Sequence, residues 1–166
     1  PGSADDQALL GRLMAAQGTM LNERALAIRL TQQMSGDRYP ERLAKLAKEQ
    51  PPDAARRTED LRARLESSWQ RVVDLMTRPW VVSPRVGCRE SAIVFENLMN
   101  AKSGSKEEAR LASAREQAKS CLDKLLLMLR PLVAANRSLE AVGQDVGQCL
   151  AAAPARPADA SAADGK

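Results

Sequence analysis

The chain has 166 residues, of which 44% are hydrophobic, 28% charged and only 2% aromatic, with 25 Lys and Arg against 21 Asp and Glu. That is one domain's length, apolar enough to bury a core and too apolar for wholesale disorder. It contains no histidine, which removes Ser/His and Cys/His dyads, His-based general base catalysis, phosphohistidine relay and imidazole metal sites.

Pro1-Gly2-Ser3 resembles the scar left by protease removal of a purification tag, so native sequence is expected from about Ala4. Residues 6–34 read as one amphipathic helix capped by Asp5 or Asp6. Leu10, Met14, Leu21, Ala25 and Ile28 form its apolar stripe, and Ser35-Gly36-Asp37 ends it through a left-handed glycine. A short helix follows at 40–49, with Pro40 in its first turn, Leu43, Leu46 and Ala47 on one side, and Pro51-Pro52 as the stop. A third helix is predicted from about 53 to 77. Asp53 is its N-cap, Leu61, Leu65, Val72 and Met76 its stripe with Trp69 alongside, and Arg78-Pro79 its end.

Between residues 78 and 88 the pattern changes. Trp80-Val81-Val82 is apolar and β-favouring, and Ser83-Pro84-Arg85-Val86-Gly87 follows, too hydrophobic in total for an ordinary loop. A helix is then predicted over 89–101 with Ile93, Val94, Leu98 and Met99 inward, broken by Ser103-Gly104. Ser105-Lys106-Glu107-Glu108 matches a reciprocal capping box. The helix it opens carries the strongest stripe: Leu111, Ala114, Ala118, Cys121, Leu125, Met128 and Leu132. Pro131 is expected to kink or end it. A last segment, 136–151, aligns Leu139, Val142, Val146 and Leu150, with Gly143 and Gly147 beside them, either for close helix approach or merely weakening the helix. Half of residues 151–166 are alanine, interrupted by Pro154 and Pro157, which reads as a flexible or extended tail.

These elements predict an all-α fold: an antiparallel helical bundle of about four main helices with one or two short extra ones, forming a single domain over 4–150. The charge is dispersed, with 13 basic and 11 acidic residues in 1–83 and 12 and 10 in 84–166. Nucleic-acid affinity comes from neutralising several phosphates together, so even the cluster Arg56, Arg57, Arg62 and Arg64, interleaved with Glu59, Asp60 and Glu66, disfavours that partner. Cys88, Cys121 and Cys149 are too few and too separated for a disulfide framework or a zinc site, and their odd number leaves at least one thiol free. Cys121 and Cys149 fall on apolar helical positions, whereas Cys88, just before a helical run, occupies a place that can lower a thiol pKa. The six methionines are spread over apolar positions, which suits core filling better than a methionine-lined groove. Adjacent carboxylates such as Glu59-Asp60 and Glu107-Glu108 do not face each other across one site on a helix.

No phosphate loop, nucleophile elbow, CxxC or metal motif is present, so neither an enzyme nor a cofactor or metal is expected. No run is long and apolar enough to span a bilayer. The expectation is a cytoplasmic, non-enzymatic protein–protein interaction module, an adaptor, scaffold or assembly domain, with a homodimer through a helix stripe also open. Its partner-binding residues are placed in the 78–88 connector: Arg78, Trp80, Val81, Val82 and Arg85, a tryptophan among apolar side chains and arginines being a common hot-spot combination. The plainer reading is that Trp80, Val81 and Val82 cover one end of the bundle. The alternative function is a ligand-sensing four-helix domain of a bacterial membrane receptor, periplasmic in that case, with Arg78, Arg85 and Arg89 gripping an anion.

Overall fold

The computed structural model describes residues 2–78, 88–102 and 104–153. Five helices appear, and no strand among the described residues: α1 (Ala4–Gly36), α2 (Tyr39–Glu49), α3 (Pro52–Met76), α4 (Cys88–Met99) and α5 (Ser105–Ala152). The fold is all-α, with the helices packed as a bundle around one hydrophobic core.

α5 is the spine. It runs unbroken for 48 residues with Pro131 inside it, so the helix expected over 136–151 is its second half. The reason lies in the phase of the stripe. Leu125, Leu129, Leu132, Ala135, Leu139, Val142 and Val146 are all buried, at spacings of three and four that pass through the proline without slipping. Proline deprives the carbonyl four residues earlier of its helical donor. Here that carbonyl belongs to Leu127, which is 71% exposed and within reach of solvent.

α1, α3 and α4 pack on this spine. Asp6 meets Arg115, Glu23 meets Asn136 and Met34 lies against Gly143, so α1 and α5 run in the same direction. Arg64 of α3 reaches Asp145, and Ser91 of α4 reaches Cys121. The lining of the α3–α5 and α4–α5 grooves descends along one helix as it climbs the other, so both of these pairs are antiparallel. The continuous α5 therefore has α4 along its first half and α2 and α3 along its second, while α1 spans both.

Several local details depart from expectation. The first cap of α1 is Ser3, within the segment read as a tag scar. Its Oγ accepts from the Asp6 N–H (3.2 Å) while the Asp6 carboxylate accepts from the Ser3 N–H (3.1 Å), a complete capping box. The box predicted at Ser105 does not form, because Ser105 is already the first helical residue behind Gly104. α3 begins at Pro52 behind Pro51, without Asp53 as cap. At the end of α1 the left-handed residue is Arg38 (φ 53°), not glycine, so the turn into α2 carries a conformation that costs L-residues free energy.

Two faces follow the predicted stripe only in part: Met99 is buried and Leu10 and Leu98 pack against the core, but their companions do not. α4 buries Cys88, Ala92, Phe95 and Met99, leaving Ile93 and Val94 about half exposed at 47% and 48%. α1 buries Leu9, Leu13, Ala16, Met20, Ala27, Leu30 and Met34, so Met14, Leu21 and Ile28 of the predicted core stripe point away at 54%, 48% and 41% exposure. In both helices two apolar rows exist, and only tertiary packing decides which one enters the core.

Candidate interaction surface

Met14, Leu21 and Ile28 lie one heptad apart on α1, and Gly11, Gly18 and Ala25 stand three residues before each of them. The resulting row 11, 14, 18, 21, 25, 28 alternates spacings of three and four, and every member is exposed. In coiled-coil terms it is a seam with small residues at one core position and large apolar ones at the other. A β-carbon added at Gly11 or Gly18 would meet nothing within 4 Å. No described residue obstructs those positions, which are small enough to let a second helix approach closely.

This row lies nearly opposite the buried one. Apolar residues on opposite sides cancel, so α1 has almost no net amphipathicity, whereas α2 and α3 are strongly one-sided. A helix apolar on two sides has two surfaces to bury. α5 covers one. Around the exposed row the charged neighbours are Arg24 and Arg29; Asp5 and Asp6 lie toward the core side, and Asp6 is already held by Arg115.

The residues predicted to bind a partner are not gathered into a site by the described structure. Arg78 is exposed and its N–H bonds the Leu75 carbonyl at the end of α3. Trp80, Val81, Val82 and Arg85 lie outside the described residues. Three of the four arginines weighed for nucleic acid are paired with carboxylates: Arg56 with Asp53, Arg62 with Glu59 (2.9 Å) and Glu66, and Arg64 with Asp145 (3.4 Å).

A shallow cleft near the start of α1, lined by Ser3, Asp5, Asp6, Arg12, Arg115, Lys119 and Asp123, holds the most buried ion pair among the described residues. The Arg115 fork donates from Nε and Nη2 to the two Asp6 oxygens, the latter at 2.9 Å. That grip, supported by Ser3, holds the Asp6 carboxyl down at about pKa 2 and raises the pKa of Arg115 in turn. Both groups are thereby locked in their charged forms and engaged with each other. Cys88 moves the other way from its sequence expectation. It starts α4, but it is fully buried, and desolvation, reinforced by the neighbouring Cys121 thiol, pushes it up to about 12. These shifts all lead away from neutrality, the reverse of what general acid–base catalysis requires.

Five of the six methionines are buried or packed against the core, and Met14 is the exception. Among the described residues no cluster of three or more Cys, Asp or Glu could hold a metal ion, and no helix is long and apolar enough to cross a membrane. Comparison with protein-family models, curated proteins and solved structures finds no match to this chain.

The sequence did contain the signal for the α1 seam. Met14, Leu21 and Ile28 repeat every seven residues, and Leu13, Met20, Ala27 and Met34 of the buried row repeat at the same period. What the periodicity could not convey was which of two rows the bundle would claim.

Proposed function

We propose that the protein is a non-enzymatic interaction module whose docking face is the outer side of α1, and that its partner is an amphipathic helix of another protein carrying carboxylates beside its apolar row. The exposed heptad seam at Gly11, Met14, Gly18, Leu21, Ala25 and Ile28 carries this reading. The inner row has the same seven-residue repeat and is covered by a helix, α5, which supports a helical occupant for the outer row as well. Charge decides between a second copy and a different protein. The seam is edged by Arg24 and Arg29 and by no exposed carboxylate. A parallel copy would set arginine against arginine, and an antiparallel copy would set them against Ala8, Ala15 and Gln17. Acidic flanking positions on a different helix complement them.

The test is fluorescence anisotropy with a labelled heptad peptide having Ala and Leu in its core positions and Glu on its flanks, beside the same peptide flanked by Lys. The Glu peptide is expected to bind the full chain, and Leu21→Lys to weaken it at least tenfold while the thermal midpoint stays unchanged. The Lys peptide is expected to bind at least tenfold more weakly than the Glu form. Absence of binding by both peptides, or equal binding to Leu21→Lys, overturns the reading. A dimer seen by sedimentation and abolished by Leu21→Lys assigns the face to a second copy instead.

A further inference from the structure

We propose that Cys88 and Cys121 are a redox pair that closes into a disulfide fastening α4 to α5, with Cys149 left as the free thiol. The two cysteines are 33 positions apart in sequence, yet the fold sets one at the first residue of α4 and the other at the middle of α5, both in the core. Both belong to the same buried cluster, where the Cys121 thiol is near enough to influence Cys88. Ser91, one turn beyond Cys88, faces the same sulfur, with the Cys121 Sγ 3.8 Å from its Oγ, so this edge of α4 is aimed at Cys121 over a full turn. Cys149 lies almost eight turns further along α5 from Cys121, on the half that serves α2 and α3, and has no such partner position.

Closure of the pair breaks two S–H bonds and forms one S–S bond. Two protons go to solvent and two electrons to a disulfide oxidant, small or protein-borne, whose own S–S bond is reduced to two thiols. Cys121 keeps slight exposure while Cys88 has none, so the mixed disulfide with the oxidant forms at Cys121 and Cys88 displaces it. The buried Cys88 thiol is raised in part by the Cys121 thiol itself, and that contribution vanishes once Cys121 is in the mixed disulfide. α4 is the shortest helix on the spine's first half, and a covalent tie there would hold it in place against α5.

The experiment equilibrates the full chain in buffers of oxidised and reduced glutathione, blocks remaining thiols with an alkylating reagent, and reads intact mass and proteolytic peptides. The expected product has one alkylated cysteine, Cys149, and a peptide joining Cys88 to Cys121. It forms equally in Cys149→Ser and is absent from Cys88→Ser and Cys121→Ser. Oxidised wild type should melt roughly 5–10 °C above the reduced form. Three blocked thiols under oxidising conditions, a glutathione adduct that never resolves, or a linkage through Cys149 each overturns the proposal. The peptide map of the wild type decides this even where a serine variant fails to fold.

Discussion

α1 has two apolar faces made of the same residue types, and they differ in what they meet. The inner row, Leu9, Leu13, Ala16, Met20, Ala27, Leu30 and Met34, lies against α5 and is sealed. The outer row, Gly11, Met14, Gly18, Leu21, Ala25 and Ile28, meets no part of the described chain that buries it. The inner interface is also pinned by polar contacts at one end and in the middle. The Arg115 fork grips Asp6, and Asn136, fully buried in α5, donates to the Glu23 carbonyl and carboxylate at 2.9 Å each. A buried amide of this kind fixes register, because sliding α1 by one turn would strand it. The outer row has nothing comparable, only glycines and two flanking arginines. One face is thus specified for a permanent neighbour within the chain, and the other is left exposed by the described chain, which is where the proposed partner would dock.

The largest contrast should appear on truncating matched leucines. Leu13→Ala empties part of the core and is expected to cost about 3 kcal/mol, whereas Leu21→Ala should cost less than about 0.5 kcal/mol. Urea unfolding of the two variants measures both. Equal losses would mean that the outer face is already buried.

Next in size is the ion pair at the inner face. Arg115→Leu leaves the buried Asp6 carboxylate without its main partner and should cost about 2 kcal/mol at neutral pH. The same pair sets an acid limb. Asp6 falls from the ordinary 3.8 to about 2 in the folded state, so the unfolded chain binds the proton first. Its stabilising contribution is complete above pH of about 4 and is lost as pH falls toward 2. Stability measured between these values should decline more steeply in wild type than in Arg115→Leu.

Glycine substitutions separate the two faces by sign. Gly11→Ala and Gly18→Ala meet no obstacle and should each stabilise the chain by about 0.5–1 kcal/mol through helix propensity. Both should nonetheless weaken the helical peptide, because methyl groups hold the approaching backbone away. On the inner interface, a β-carbon at Gly143 would collide with the Met34 methyl, so Gly143→Ala should destabilise by about 1 kcal/mol despite the same propensity gain. Thermal melts of the three variants provide the comparison.

The smallest effect lies outside both faces. Arg38→Gly relieves the left-handed backbone between α1 and α2 and should be neutral or stabilising by up to about 0.5 kcal/mol in chemical denaturation.

The helices themselves were readable from the sequence because prolines and glycines punctuate them and because α2, α3 and α5 each carry a single apolar row. Leu43 and Ala47, Leu65 and Val72, and the series from Leu111 to Val146 are buried where the spacing places them, except that Met128 is half-buried and Leu129 beside it enters the core. α1 and α4 failed for a common physical reason. Each has two rows of comparable apolarity, Leu13 and Met20 against Met14 and Leu21, and Ala92 and Phe95 against Ile93 and Val94, and periodicity cannot rank them. Pro131 misled in another way, since a proline on an in-phase stripe is outweighed by the packing on either side of it. Cys88 was read from its place at a helix start, where a thiol is activated, but burial dominates that effect. Scarce aromatic residues draw attention to Trp80 in the connector, which lies outside the described residues, whereas the proposed α1 row of glycine, alanine and aliphatic side chains carries no such compositional flag.

Hydrogen exchange of the full chain with and without the Glu-flanked helical peptide locates the docking face. New protection confined to α1, centred on residues 11–28, is the predicted result. Protection at residues 78–88 with α1 unchanged would contradict it and return the binding site to the connector.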